Sequence, residues 1–127
     1  MDAAPIRSYR DLLVWRKGVE LAVHAHRFCI QRTRPHSLVL MQQLERSAMS
    51  IPANIAEGYG RGSRGDYVRF VCIANGSLKE LETHLLLARQ FDPAWADEVG
   101  HMLEMTDEIG RMLVGLMRAL RRARPKP

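Results

Sequence analysis

From Tyr67 to Ala88 the apolar residues Tyr67, Phe70, Ala74, Leu78, Leu81, Leu85 and Ala88 recur at steps of three and four. That spacing places all seven on one face of an α-helix. A helix with one long apolar stripe must bury it against other elements. The same spacing returns three times. Leu44, Ala48, Ile51 and Ile55 carry it, as do Trp95, Val99, Met102, Thr106, Ile109, Leu113, Leu116 and Leu120. A first segment carries it through Leu12, Trp15, Val19, Ala22, Ala25 or His26, and Cys29. No segment alternates with period two, so no sheet is expected. The prediction is an all-α, antiparallel up-down four-helix bundle, because short turns join the helices. The helices are expected over residues 9–32, 38–57, 64–91 and 93–121, with a basic tail over 122–127.

The breaks between stripes are explicit. Pro35 cannot continue the first helix, and Ser37 is placed to cap the second. Gly58 opens a glycine-rich turn ending at Gly65 and reads as a left-handed residue after the second helix. Ser63 with Asp66 resembles a capping box, and Asp92-Pro93 reads as N-cap and first residue of the fourth helix. A chain of 127 residues suits one domain, residues 1–127, able to bury a core without staples. Cys29 and Cys72 fit no disulfide framework or zinc spacing. They read as core fillers in a reducing cytoplasm. No apolar run approaches the ~20 residues of a membrane span, and the first ten residues lack a secretory apolar stretch.

Reaction chemistry finds little support. Di-iron bundles need two Glu-x-x-His motifs, and only Glu98-Val-Gly-His101 is present. Gly60-Arg-Gly-Ser-Arg-Gly65 matches G-x-G-x-x-G, but a helix precedes it where the dinucleotide fold needs a strand. No nucleophile stands at a recognisable spacing from a base. No metal, cofactor or catalytic residue is therefore expected, and the chain reads as a non-enzyme. The enzymatic alternative would use Glu80, Glu82, Asn54 and Glu57.

The second helix also carries a polar stripe of Gln43, Ser47, Ser50, Asn54 and Glu57, with Arg46 beside it and Pro52 inside the helix. One reading is a solvated face with a kink. The other is a hydrogen-bonded contact joining Arg46, Ser50, Asn54 and Glu57 to Ser77, Glu80 and Glu82 of the third helix. Charge supplies the other signal. The formal charge is +5, and arginine outnumbers lysine 16 to 3. Arg61, Arg64 and Arg69 cluster at the start of the third helix, whose free N–H groups favour anions. Tyr59 is placed to stack on a base. Arg118, Arg121, Arg122, Arg124 and Lys126 gather at the end of the chain. These residues are either a solubilising surface or a nucleic-acid contact.

The stretch from Arg46 to Gly58, with its core Ser-Ile-Pro-Ala-Asn-Ile-Ala-Glu-Gly, carries a resemblance. So do Asp66 to Glu82 and Tyr9 to Lys17. Over residues 9 to 120 the chain resembles the bacterial four-helix-bundle family named after proteins encoded in intervening sequences of 23S ribosomal RNA genes. Ser50, Pro52, Asn54, Glu57 and Gly58 match its first motif, and Gly76, Ser77, Leu78, Glu80, Leu81 and Glu82 its second. The loops at Thr33–Leu38 and Phe91–Trp95 depart from the family pattern. The resemblance implies an antiparallel bundle, a ring-like homopentamer and no established enzymatic activity. It also implies kinship with a basic pentameric accessory protein of diversity-generating retroelements, which binds nucleic acid and a reverse transcriptase. The leading expectation is a non-enzymatic oligomer that binds RNA or DNA, accessory to a nucleic-acid enzyme. A protein-interaction scaffold is the alternative. Five copies would carry about +25 formal charges.

Overall fold

The structure is a computed structural model that describes residues 5–123. Arg124 and Lys126 of the basic tail lie outside the described residues. Four helices make up the fold: α1 (Leu13–Arg32), α2 (Leu38–Gly60), α3 (Arg64–Phe91) and α4 (Ala96–Arg122). No strand occurs among the described residues. Each helix packs on its neighbours in chain order, and α1 against α4 closes the ring. The apolar stripes meet at the centre, where Leu21, Leu44, Ile51, Ile55, Leu78, Leu81, Leu85, Ile109 and Leu113 are fully buried. Each such side chain contributes roughly 1.5–3 kcal/mol on leaving water.

Several sequence expectations are corrected. The first helix does not run unbroken from residue 9. Tyr9–Asp11 forms a 3-10 turn capped by Ser8, and Leu12 is extended before α1 begins. The Asp11 carboxylate accepts from the backbone N–H groups of Arg7 (2.8 Å) and Ser8 (3.2 Å). These bonds, with Arg16 nearby, hold its pKa below the usual carboxylate value. The buried face of α1 is also turned from the expected one. Val14, Gly18, Leu21, Ala25 and Phe28 face the core with Cys29, while Leu12, Trp15, Val19 and Ala22 flank it half-buried.

Gly58 is not a left-handed terminator. The helix continues through it to Gly60, and the positive φ falls at Gly62 (84°). A Cβ on Gly58 would stand 2.7 Å from Phe70 Cβ and 3.2 Å from the Tyr67 carbonyl oxygen. Glycine is needed there so that α2 and α3 can close upon each other. Ser37, too, departs from its expected role. Its buried hydroxyl makes no cap bond; it donates to the Arg32 carbonyl (2.8 Å) and accepts from the Arg34 N–H (3.0 Å), tying the first turn together. Ser63 accepts the Asp66 N–H but Asp66 returns no bond to the Ser63 N–H, so the expected capping box is only half formed; Asp92 accepts the Ala94 N–H, and Asp92-Pro93 opens a 3-10 turn (Pro93–Trp95) that precedes α4. Pro52 is buried within α2 and faces Gly18 of α1, where a Cβ would lie 3.5 Å from its own.

Candidate nucleic-acid interface

The antiparallel ring brings the start of α1, the α2–α3 turn and the end of α4 to one end of the bundle. Phe70 organises the turn. The Arg69 guanidinium lies 4.6 Å from its ring centre and that of Arg61 lies 5.0 Å away. Arg61 also pairs with Glu57 (3.4 Å) and Arg69 with Asp66 (3.5 Å), both as exposed ion pairs. Such pairs are worth little, so these cations remain available to phosphate. Arg64 is exposed at the first position of α3. The N-terminus of α3 is partly satisfied already, because Ser63 Oγ accepts from the Asp66 N–H (3.2 Å). Tyr59 meets Tyr67 edge-on at 5.8 Å, and burial pushes the Tyr67 hydroxyl pKa up.

Arg118, Arg121 and Arg122 are exposed on the last turns of α4. Arg121 reaches Cys72 of α3, with Nη2 3.8 Å from Sγ, which ties the two basic groups to the same end. A third group joins them that the residue spacing did not reveal. Arg7, Arg10, Arg16 and Lys17 stand at the start of α1. Arg16 Nε donates to the Arg10 carbonyl (2.7 Å), and Lys17 pairs with Glu108 (2.7 Å), which raises the Lys17 pKa. The signal lay in the topology, since an up-down bundle must place residue 10 beside residues 61 and 121.

Charge is therefore segregated along the bundle. At the end formed by the start of α1, the α2–α3 turn and the last turns of α4 lie Arg7, Arg10, Arg16, Arg61, Arg64, Arg69, Arg118, Arg121 and Arg122, against Asp11, Glu57 and Asp66. Nine arginines against three carboxylates leave this end at a formal +6 among the described residues.

The polar stripe of α2 divides. Ser50 Oγ and Ser77 Oγ lie 2.7 Å apart across the α2–α3 seam. Asn54 Nδ2 donates to Ser50 Oγ (2.9 Å) and to the Ser50 carbonyl (2.7 Å). Arg46, Glu57, Glu80 and Glu82 are not part of this network. Arg46 and Glu80 are exposed, Glu57 turns to Arg61, and Glu82 pairs with Lys79 (3.1 Å). Long charged side chains at those positions find solvent or a same-helix partner more cheaply than burial. His84 takes an unforeseen place beside them, with Nδ1 3.2 Å from Ser47 Oγ.

Of the motif Glu98–His101, the carboxylate bonds the Arg32 guanidinium and the imidazole packs edge-on against His24 at 5.4 Å. Among the described residues no group of three or more His, Cys, Asp or Glu is placed to hold a metal ion, and no helix is long and apolar enough to cross a membrane. Several grooves mark the surface, among them two along helix seams. One, about 600 Å³, runs between α3 and α4 past Asn75, Arg111 and Arg118. The other, about 320 Å³, is apolar and lies between α1 and α2 among Val19, Val23, Met49 and Pro52.

Residues 10–115 match the family model described as 23S rRNA-intervening sequence protein. The fold is similar to a crystal structure of a protein of unknown function from the S23 ribosomal protein family of Bacteroides thetaiotaomicron. That likeness has a TM-score of 0.77 at 25% identity and covers 83% of this chain and 98% of the other. No curated protein matches the chain.

Proposed function

Because this chain belongs to the 23S rRNA-intervening sequence protein family, we propose that it is a non-enzymatic bundle whose basic end binds the phosphate backbone of RNA or DNA. The observation that carries this reading is the gathering of nine arginines against three carboxylates at one end of the bundle. A solubilising surface has no need to sort its signs. A surface that meets a polyanion gains from gathering arginines, whose guanidinium forks match phosphate oxygens. Arg61, Arg64 and Arg69 with Phe70, and Arg118, Arg121 and Arg122, form the contact, extended by Arg7, Arg10 and Arg16. The test is fluorescence anisotropy on a structured RNA across a salt series. Affinity falls steeply as salt rises, and Arg61→Glu with Arg64→Glu weakens binding to unrelated sequences alike. Absence of binding at low salt overturns the reading.

Self-association belongs to the same proposal, with a homopentamer the expected ring. The apolar groove between α1 and α2 supports it, since Val23 and Met49 are 41% and 56% exposed there. Apolar groups gathered so on a surface mark an interaction site. Mass in solution several-fold above one chain is the expected result. The same groove favours a second reading, a scaffold for a protein partner such as a reverse transcriptase or another nucleic-acid enzyme. Co-purification of a protein that survives nuclease treatment distinguishes the two.

A further inference from the structure

The groove between α3 and α4 has features that a backbone contact does not require. Arg118 stands at one side of its centre and Arg111 with Lys79 at the other. Seven residues of helix separate the two arginines, about 10 Å along the axis. Neither arginine forms an ion pair among the described residues, and Lys79 has only its exposed pair with Glu82. Between these cations sits Asn75, whose Oδ1 is shielded from solvent and accepts no hydrogen bond. A shielded acceptor without a donor costs free energy that a ligand donor would relieve once the carboxamide rotates toward the groove. Gly115 contributes no side chain, and a Cβ there would meet nothing within 4 Å. The volume, about 600 Å³, is that of a small-ligand site. Asp107 marks the end of the groove farthest from Arg118.

Resting on the nucleic-acid reading above, we propose that this groove holds one unpaired nucleotide of an RNA strand, its flanking phosphates on Arg118 and on Arg111 with Lys79, and its base edge on the Asn75 carboxamide. A carboxamide pairs a donor with an acceptor, as base edges do. A base within a duplex cannot enter a cleft of this size, whereas an unpaired one can be splayed out to meet side chains. The groove thus selects single-stranded or bulged sites, while the basic end binds any backbone.

The test measures affinity for a labelled 12-nucleotide single-stranded RNA and for its blunt duplex at one low salt concentration. Gly115→Leu fills the groove without changing charge, and circular dichroism confirms the fold. The wild-type chain binds both probes. Gly115→Leu lowers single-strand affinity at least tenfold and leaves duplex affinity within twofold; Asn75→Leu shifts it about threefold in the same direction. Unchanged single-strand affinity in Gly115→Leu overturns the groove, as does a parallel loss for the duplex or a wild-type chain that binds only duplex. In each of these cases the backbone reading survives. A wild-type chain that binds neither probe overturns both.

Discussion

The hydroxyls of Ser50 and Ser77 meet at 2.7 Å in the seam between α2 and α3, with Asn54 donating to Ser50 from one turn away. Leu78 and Leu81 lie fully buried nearby, so this is a polar clasp in an apolar seam. Each hydroxyl is satisfied by the other helix, which fixes how α2 and α3 slide past each other.

Removing one side of the clasp leaves the other short of a partner. Ser77→Ala is expected to cost about 1 kcal/mol. Ser50→Ala with Ser77→Ala should cost less than the two single changes together, with a coupling of roughly 0.5 kcal/mol or more. Urea unfolding of the four chains measures it. Strict additivity would mean the two hydroxyls do not interact.

Two glycines should respond in opposite directions. Gly58→Ala drives a methyl group into Phe70 and should destabilise by about 1–3 kcal/mol, whatever alanine gains as a helix former. Gly76→Ala meets open space within α3 and should stabilise by up to about 1 kcal/mol. Thermal melts of the two variants give the signs.

The two thiols differ in environment. Burial pushes the Cys29 pKa up to about 12, whereas Cys72 is exposed. A disulfide reagent at pH 8 should therefore titrate one thiol in the folded chain and two in denaturant. Cys72→Ser should abolish the fast reaction and Cys29→Ser should leave it.

Cys29 also sets an alkaline limb of stability. Above about pH 9 the unfolded thiol ionises while the folded one keeps its proton, so the unfolded state binds fewer protons. Stability then falls with rising pH between about 9 and 12, by at most about 1.4 kcal/mol per unit from this group. Cys29→Ala should flatten that limb relative to the parent in melts taken across the range.

The stripes of α2, α3 and α4 were legible because each of those helices has one apolar face. In α1, Trp15, Val19 and Ala22 adjoin Val14, Leu21 and Phe28, so the 3.6-residue period admits two overlapping stripes. Only the neighbouring helices decide which is buried. Gly58 misled because a glycine near a helix end has two uses, and its partner Phe70 lies across the turn. In the polar stripe, Ser50, Asn54 and Ser77 share hydrogen bonds, one of the two arrangements that the spacing admits. Arg46, Glu57, Glu80 and Glu82 share their faces but not their bonds, since spacing reports direction and not partners. The basic end was half visible. Arg61 and Arg121 stand in arginine clusters along the chain, but Arg10 joins them only once the chain has folded up and down.

With its arginines gathered at one end, the bundle carries a dipole moment along its long axis. In the field of a polyanion such a body feels a torque before it feels a contact. It turns until Arg61 and Arg121 lead. Under the proposed function, encounters that begin in the wrong orientation are corrected in flight, and the search for a bound pose shrinks from a whole surface to one end.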